Sequence, residues 1–214
     1  MRILALDAAL ARCSVALVYG DVVVSHRWAP SGRGQSAVLA PMVADVLSAG
    51  DGFDAVAVTV GPGSFTGLRS AIALAHGLGA GGRPVIGVTV AEALAQAVGE
   101  LGGRTLWTAI DSHRGRVFLD IGGVVRAFAL DELPRPDGRL AVCGDAAIAV
   151  ASRLLSVGWD ARLTDVRLPD AVHVAAVASR RLAGRLPPLA AQPLYVDPPE
   201  AALPAGGLRP PPRP

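Results

Sequence analysis

The sequence predicts a two-lobed α/β protein built on mixed sheets, and three observations predict it. Strand and helix signals alternate as β-β-β-α-β-α-β-α up to a glycine-rich break at 99–104, and a second set of strands starts after that break. At 214 residues folding can bury roughly 70% of the unfolded surface, so a sizeable core is expected. Apolar residues make up 51% of the chain and charged residues 18%, which argues against disorder and leaves an apolar surplus that needs a location.

The elements follow in order. Residues 3–6 are a short apolar run ending in Asp7, and 13–18 and 22–28 are β-rich runs separated by the turn cluster Tyr19, Gly20, Asp21. A Gly/Ser/Arg loop at 31–34 leads into a helix over 36–48, where Pro41 must sit in the first turn or begin a kink. The unbroken apolar run 55–60 reads as a buried strand, followed by a helix over 65–80, a strand over 84–89 and a helix over 90–101. Beyond the break, strands are predicted over 106–110, 116–121, 124–128 and 140–142, and helices over 146–155 and 171–186, the latter with Asp170 as N-cap. The division predicted is an N-terminal, partner-binding lobe over 1–103, a smaller C-terminal lobe over 104–190 and a Pro-rich segment over 191–214. From residue 187 onward there are 10 prolines in 28 residues. Proline is excluded from helix interiors and central strands, so this tail is expected to be extended, with a mobile end.

Composition also limits the chemistry. No uninterrupted apolar run reaches the roughly 18 residues of a membrane span, and the start Met1-Arg2-Ile3-Leu4-Ala5-Leu6 meets Asp7 too early for a signal peptide. A soluble, cytoplasmic protein without membrane contact is expected. Cys13 and Cys143 read as small buried hydrophobes. All 20 basic residues are Arg, and the chain has neither Lys nor Asn, a GC-rich coding signature that nevertheless excludes Schiff-base chemistry and the P-loop lysine. A net charge of +2 with scattered Arg marks no dedicated nucleic-acid surface.

The loop Gly61, Pro62, Gly63, Ser64, Phe65, Thr66, Gly67, Leu68, Arg69 follows a buried strand and opens a helix, the usual place for phosphate loops. It fails three tests. Its third glycine falls one residue late for a dinucleotide fingerprint, it lacks the Walker lysine, and Ser64 is not flanked as in a nucleophile elbow. A tight turn with Ser64 as N-cap and Gly67 permitting close approach accounts for the motif, with anion binding as the other reading. The helices on either side are apolar nearly all round: Asp45 is the only charge in 37–49, and Arg69 and His76 are the only titratable residues in 65–80. A sheet covers one side of a helix, so a stripe of Leu39, Met42, Val43 and Val46 with Leu68, Ile72, Ala75 and Gly79 is predicted to meet a partner or a second copy. The other reading is that the second lobe or the tail covers it. His26, His76, His113 and His173 show no metal-ligand spacing, so no metal site is predicted. Ser64 and Ser112 lack an identifiable base, so no peptidase centre is predicted either.

The start Ile3-Leu4-Ala5-Leu6-Asp7 with Cys13-Ser14-Val15-Ala16-Leu17, the glycine loop, Ile86-Gly87-Val88, and Ile110-Asp111-Ser112-His113-Arg114-Gly115-Arg116-Val117-Phe118 closely resemble the TsaB (YeaZ) family. The resemblance continues weakly through Cys143-Gly144-Asp145-Ala146 and Pro193-Leu194-Tyr195. It implies an actin-like ATPase (ASKHA) fold of two ribonuclease-H-like lobes. It also implies a non-catalytic subunit that pairs through its N-terminal-lobe helices with a TsaD-like catalytic paralogue. With a TsaE-like ATPase, the pair allows threonylcarbamoyl transfer to N6 of adenosine 37 in tRNAs reading codons that begin with A. The resemblance further implies a homodimer when the partner is absent, and contact with tRNA mainly through the complex. No intrinsic cofactor is expected. The alternative is a self-sufficient actin-like ATPase or small-molecule kinase. There Asp7 and Asp111, at strand ends, would hold magnesium and activate water beside the glycine loop, and ATP and magnesium would enter in that case or at a composite interface. The other reading of these acids is that Asp7 caps its turn and Asp111 binds the Arg114/Arg116 loop. Asp7-Ala8-Ala9 lacks the hydroxyl common in such enzymes, Gln35 stands where relatives often have His, and Asp197 where an Arg commonly follows. Arg114 and Arg116 are a third, weaker possibility for direct tRNA contact.

Overall fold

The computed structural model describes residues 1–30, 35–50 and 52–196, with the backbone alone for 35 and 36. The 31–34 loop, the Gln35 side chain, Asp197 and the end of the tail lie outside the described residues. The N-terminal lobe comprises β1 (Arg2–Asp7), β2 (Arg12–Tyr19), β3 (Val22–Pro30), α1 (Gln35–Leu47), β4 (Ala55–Gly61), α2 (Phe65–Gly79), β5 (Val85–Thr89) and α3 (Val90–Ala97). The second lobe comprises β6 (Thr105–Asp111), β7 (Val117–Ile121), β8 (Val124–Phe128), β9 (Leu140–Cys143), α4 (Ala147–Ser156) and β10 (Ala161–Leu163), and the chain continues into α5 (Ala171–Leu182).

The two sheets repeat one topology. Their orders are β3-β2-β1-β4-β5 and β8-β7-β6-β9-β10. In each, the first three strands are antiparallel neighbours, and the fourth and fifth add parallel to the first. This duplicated mixed sheet is the α/β architecture of actin-like ATPases, as the resemblance implies. Strand β10 has no counterpart in the sequence reading, because three residues with two exposed side chains leave no apolar run to detect.

Alternation along β1 explains how the first sheet is covered. Leu4 and Leu6 face α1 and α2 together with Val15, Leu17, Val56 and Val58, whereas Ile3 and Ala5 face α5 with Ala16, Ala55 and Ala57. Helix α5 therefore returns to the N-terminal lobe, and the predicted C-terminal lobe over 104–190 is corrected accordingly. Its buried face of Ala171, Val174, Ala175, Val177 and Ala178 is narrow enough to lie close on a sheet face dominated by alanine. Its start is pinned: Asp170 Oδ1 accepts from Val172 N at 3.0 Å, Ala171 N donates to Ser14 Oγ at 2.9 Å, and Asp170 pairs with His26 at 3.0 Å and Arg12 at 3.4 Å. Its end is held by Arg181, which donates to Gly87 O at 2.9 Å and Pro187 O at 2.6 Å.

After α5, residues 187–196 run back over the first sheet. Gly87 N donates to Leu189 O at 2.9 Å and Leu194 N to Val60 O at 2.8 Å, and His76 Nε2 lies 2.9 Å from Ala191 O. A Cβ at Gly87 would strike the Ala190 carbonyl, which is why a strand residue without a side chain stands there. The lobes meet where Ala8, Ala9 and Leu10 pack with Ile110 and Cys143. Among the described residues no helix is long and apolar enough to cross a membrane.

Candidate functional site

The glycine loop is first a structural joint. Ser64 N donates to Ala9 O at 2.7 Å, and a Cβ at Gly63 would collide with that same carbonyl. The loop, which contains a cis Gly61-Pro62 bond, thus docks on the turn between β1 and β2. Ser64 then caps α2, its hydroxyl accepting from Gly67 N at 3.3 Å. Both halves of the turn-and-cap reading are present.

Asp7 and Asp111 occupy equivalent ends of the repeated strands β1 and β6, and each closes a turn. Asp7 Oδ1 accepts from Ala9 N at 3.2 Å, and Asp111 Oδ1 from His113 N at 2.7 Å. Asp7 also accepts from Thr59 Oγ1 at 2.7 Å, is wholly buried, and leaves Oδ2 without a partner. Burial pushes its carboxyl up to about 6, against the opposing pull of the Thr59 hydroxyl and Ala9 N–H. Asp111 faces His113 Nδ1 at 3.2 Å, and its N–H donates to Asp145 Oδ1 at 2.9 Å. A magnesium–nucleotide does not fit the Asp7 end in this arrangement: Asp7, Ala8, Ala9 and Leu10 are all buried, with the glycine loop seated on Ala9. Among the described residues no group of three or more His, Cys, Asp or Glu converges as metal ligands. The Ser64 hydroxyl is used as a cap, and Ser112 Oγ donates to Arg116 O at 2.6 Å while accepting from Arg114 N at 3.2 Å.

The stripe predicted to meet a partner faces inward and is corrected. Leu39, Met42, Val43 and Val46 of α1, and Leu68, Ile72, Ala75 and Gly79 of α2, are all buried within the chain itself. Each helix has one row of large apolar residues, and the first sheet takes it. Gly79 is where α2 closes on β5, since a Cβ there would meet the Val85 side chain. What α1 and α2 turn outward is smaller: Ala37, Val38, Ala40, Pro41, Ala44 and Asp45 on α1, and Thr66, Arg69, Ala73, His76 and Gly77 on α2 are exposed. A Cβ at Gly77 would meet nothing within 4 Å.

Beside the loop lies a cleft of about 130 Å³ between the lobes, walled by Phe65, Arg69, Ser112, Arg114, Phe118 and Tyr195. The Arg69 guanidinium stacks 3.7 Å from the Phe65 ring centroid and donates to Tyr195 Oη from Nη2 at 2.8 Å and Nε at 3.3 Å. The roles of Thr59 and Tyr195 are not readable from sequence spacing, because both depend on which distant segments the fold brings together.

A family model described as "TsaD: tRNA N6-adenosine threonylcarbamoyltransferase" matches residues 32–129. The chain is 39% identical over 124 residues to the Escherichia coli tRNA threonylcarbamoyladenosine biosynthesis protein TsaB, covering 55% of this chain and 53% of that one. It is 37% identical over 125 residues to the Haemophilus influenzae protein of the same name, covering 55% and 52%. The chain thus spans about half the length of these curated relatives. The crystal structure described as YeaZ from Pseudomonas aeruginosa superposes with a TM-score of 0.75 at 28% identity, over 91% of this chain and 99% of that one. A second Pseudomonas aeruginosa structure, an uncharacterized protein with similarity to peptidase YEAZ, gives 0.77 at 27% identity, over 92% and 99%. The chain is similar to TsaB and YeaZ proteins. The names of the two curated relatives place those proteins in tRNA threonylcarbamoyladenosine biosynthesis.

Proposed function

We propose that this TsaB/YeaZ-like chain is a non-catalytic partner subunit. In this reading it docks on a TsaD-like catalytic paralogue and, with a TsaE-like ATPase, allows N6-threonylcarbamoylation of adenosine 37 in tRNAs reading codons that begin with A. The observation that carries it is the outward face of α1 and α2, where exposed alanines, Val38, Pro41 and Gly77 form a helix-packing surface with Asp45, Arg69 and His76 as its titratable members. Small residues let another helix approach closely, and the same surface would join two copies when the paralogue is absent. The sealed, turn-closing Asp7 supports a role without chemistry of its own, and tRNA is engaged mainly through the complex.

Reconstitution with the TsaD-like and TsaE-like proteins of the same genome tests this. Modification of a tRNA transcript is expected to require this chain and to persist with Asp7→Asn. Loss of modification with a folded Asp7→Asn chain would favour the alternative, in which Asp7 acts in an ATPase or kinase centre.

A further inference from the structure

We propose that residues 189–196 form a strap that couples the outward face of α2 to the interlobe cleft. The coupling rests on the docking role above for its partner, and the strap itself on this chain alone. The first sheet is shaped to seat the segment: Gly87 N donates to Leu189 O at 2.9 Å, Leu194 N donates to Val60 O at 2.8 Å, and a Cβ at Gly61 would come within 3.1 Å of Leu194 O. Two further contacts tie it to α2. Arg69 donates to Tyr195 Oη from Nη2 at 2.8 Å and from Nε at 3.3 Å. His76 Nε2 lies 2.9 Å from Ala191 O, which can only accept, so that nitrogen carries the proton. Arg69 and His76 stand two turns apart on one face of α2 and are the titratable side chains it turns outward. The strap, together with the Phe65 ring 3.7 Å from the Arg69 guanidinium, fixes how they are presented.

The strap also borders the second lobe. Residues 193–196 share a cavity of about 130 Å³ with Ser112 and Phe118, and a second cavity, of about 550 Å³, separates the strap from Asp120, Gly123 and Val125 of the β7–β8 hairpin. The bonds named above run to β4, β5 and α2, so the strap belongs with the N-terminal lobe and has room on the side of the other. Ordering Arg69 and His76 before a partner arrives spares the complex part of the cost of immobilising them. Linkage makes the effect reciprocal: whatever the seated strap adds to docking, docking adds to the seating of the strap. A partner on α2 is thereby felt in the cleft between the lobes.

Hydrogen–deuterium exchange of the full chain, alone and with the TsaD-like protein of the same genome, tests the strap. In the chain alone, Tyr195→Phe and His76→Ala each remove one tie. Each is expected to speed exchange at the Leu194 and Gly87 amides about three- to tenfold, the worth of one hydrogen bond. The amides that pair β1 with β2 are expected to stay as slow as in the parent. Tyr195 and His76 are exposed, so their replacement leaves the fold intact, which circular dichroism checks. In the complex, the Leu194 and Gly87 amides of the parent are expected to slow about threefold or more, and both variants to bind the paralogue more weakly by a comparable factor. Exchange at these amides that neither substitution changes, or that stays the same when the paralogue binds, overturns the proposal. A parent chain that does not bind the paralogue overturns the docking role and the coupling with it, while faster exchange in the two variants still supports the strap.

Discussion

Arg181 Nη2 of α5 lies 2.6 Å from Glu92 Oε1 of α3, and the other oxygen of the same carboxylate accepts from Thr89 N at 2.8 Å. Glu92 thereby closes the capping box of α3 and anchors the helix that returns from the second lobe. Arg181 is buried, with its remaining donors on Gly87 O and Pro187 O. One guanidinium therefore holds α3, β5, α5 and the start of the C-terminal segment together.

Removing Arg181 takes the only ion-pair partner in the described residues from the partly buried Glu92 carboxylate, which keeps just Thr89 N, and takes a donor from each of two carbonyls. Arg181→Ala is expected to cost about 3–5 kcal/mol. Arg181→Lys is expected to recover only part of that, because an ammonium cannot reach three acceptors in the same fork. Urea unfolding of the three proteins checks the order.

Asp7 gives a pH signature. Its folded carboxyl titrates near 6, above the unfolded value of about 3.9. Its contribution is therefore most favourable below pH 4 and is lost as pH rises through 6. Asp7→Asn, which keeps an oxygen for Thr59 and Ala9 N, is expected to raise stability at pH 8 by up to about 3 kcal/mol. The gain should vanish near pH 4. Equal unfolding midpoints for the two proteins at pH 8 would contradict the burial argument.

The inward stripe of α1 and α2 makes a different kind of prediction. Leu39 is 1% exposed and Ile72 6% exposed, so Leu39→Ala is expected to cost about 2–5 kcal/mol. Ile72→Asp is expected to unfold the isolated chain, because an unpaired charge replaces an apolar group in the core. A folded Ile72→Asp chain by circular dichroism would return this stripe to the surface.

Much of the fold was legible because its signals are local. Unbroken apolar runs marked β1 and β4, Asp170 stands where the helix that follows it needs an N-cap, and Ser64 does the same for α2. What was not legible depends on distance in the chain. Nothing in 171–186 says that its alanine-rich face belongs on the first sheet. Nothing in the periodicity of Leu39, Met42, Val43 and Val46 says whether that stripe faces the sheet or a partner. The site divides in the same way. Asp7 and Asp111 were found as strand-end acids, with a turn cap as one of two readings for Asp7; that Asp111 closes its turn on His113 N depends on the path of the chain after the strand. Arg69 was found as part of a motif, whereas its tether to Tyr195 spans 126 residues.

The docking claim is tested most directly at Gly77, which is exposed, with open space where a side chain would go. Gly77→Leu should fold at least as stably as the parent, since glycine is the poorer helix former by roughly 0.8–1.0 kcal/mol relative to alanine. Its bulk should nevertheless hold another helix away from the α1–α2 face, with Val38→Arg as a second block. The measurement is gel filtration with light scattering of each chain mixed with the TsaD-like protein of the same genome. The parent chain is expected to co-elute as a complex, and Gly77→Leu and Val38→Arg to elute apart from the paralogue. Undiminished co-elution of both variants would contradict the assignment of this face.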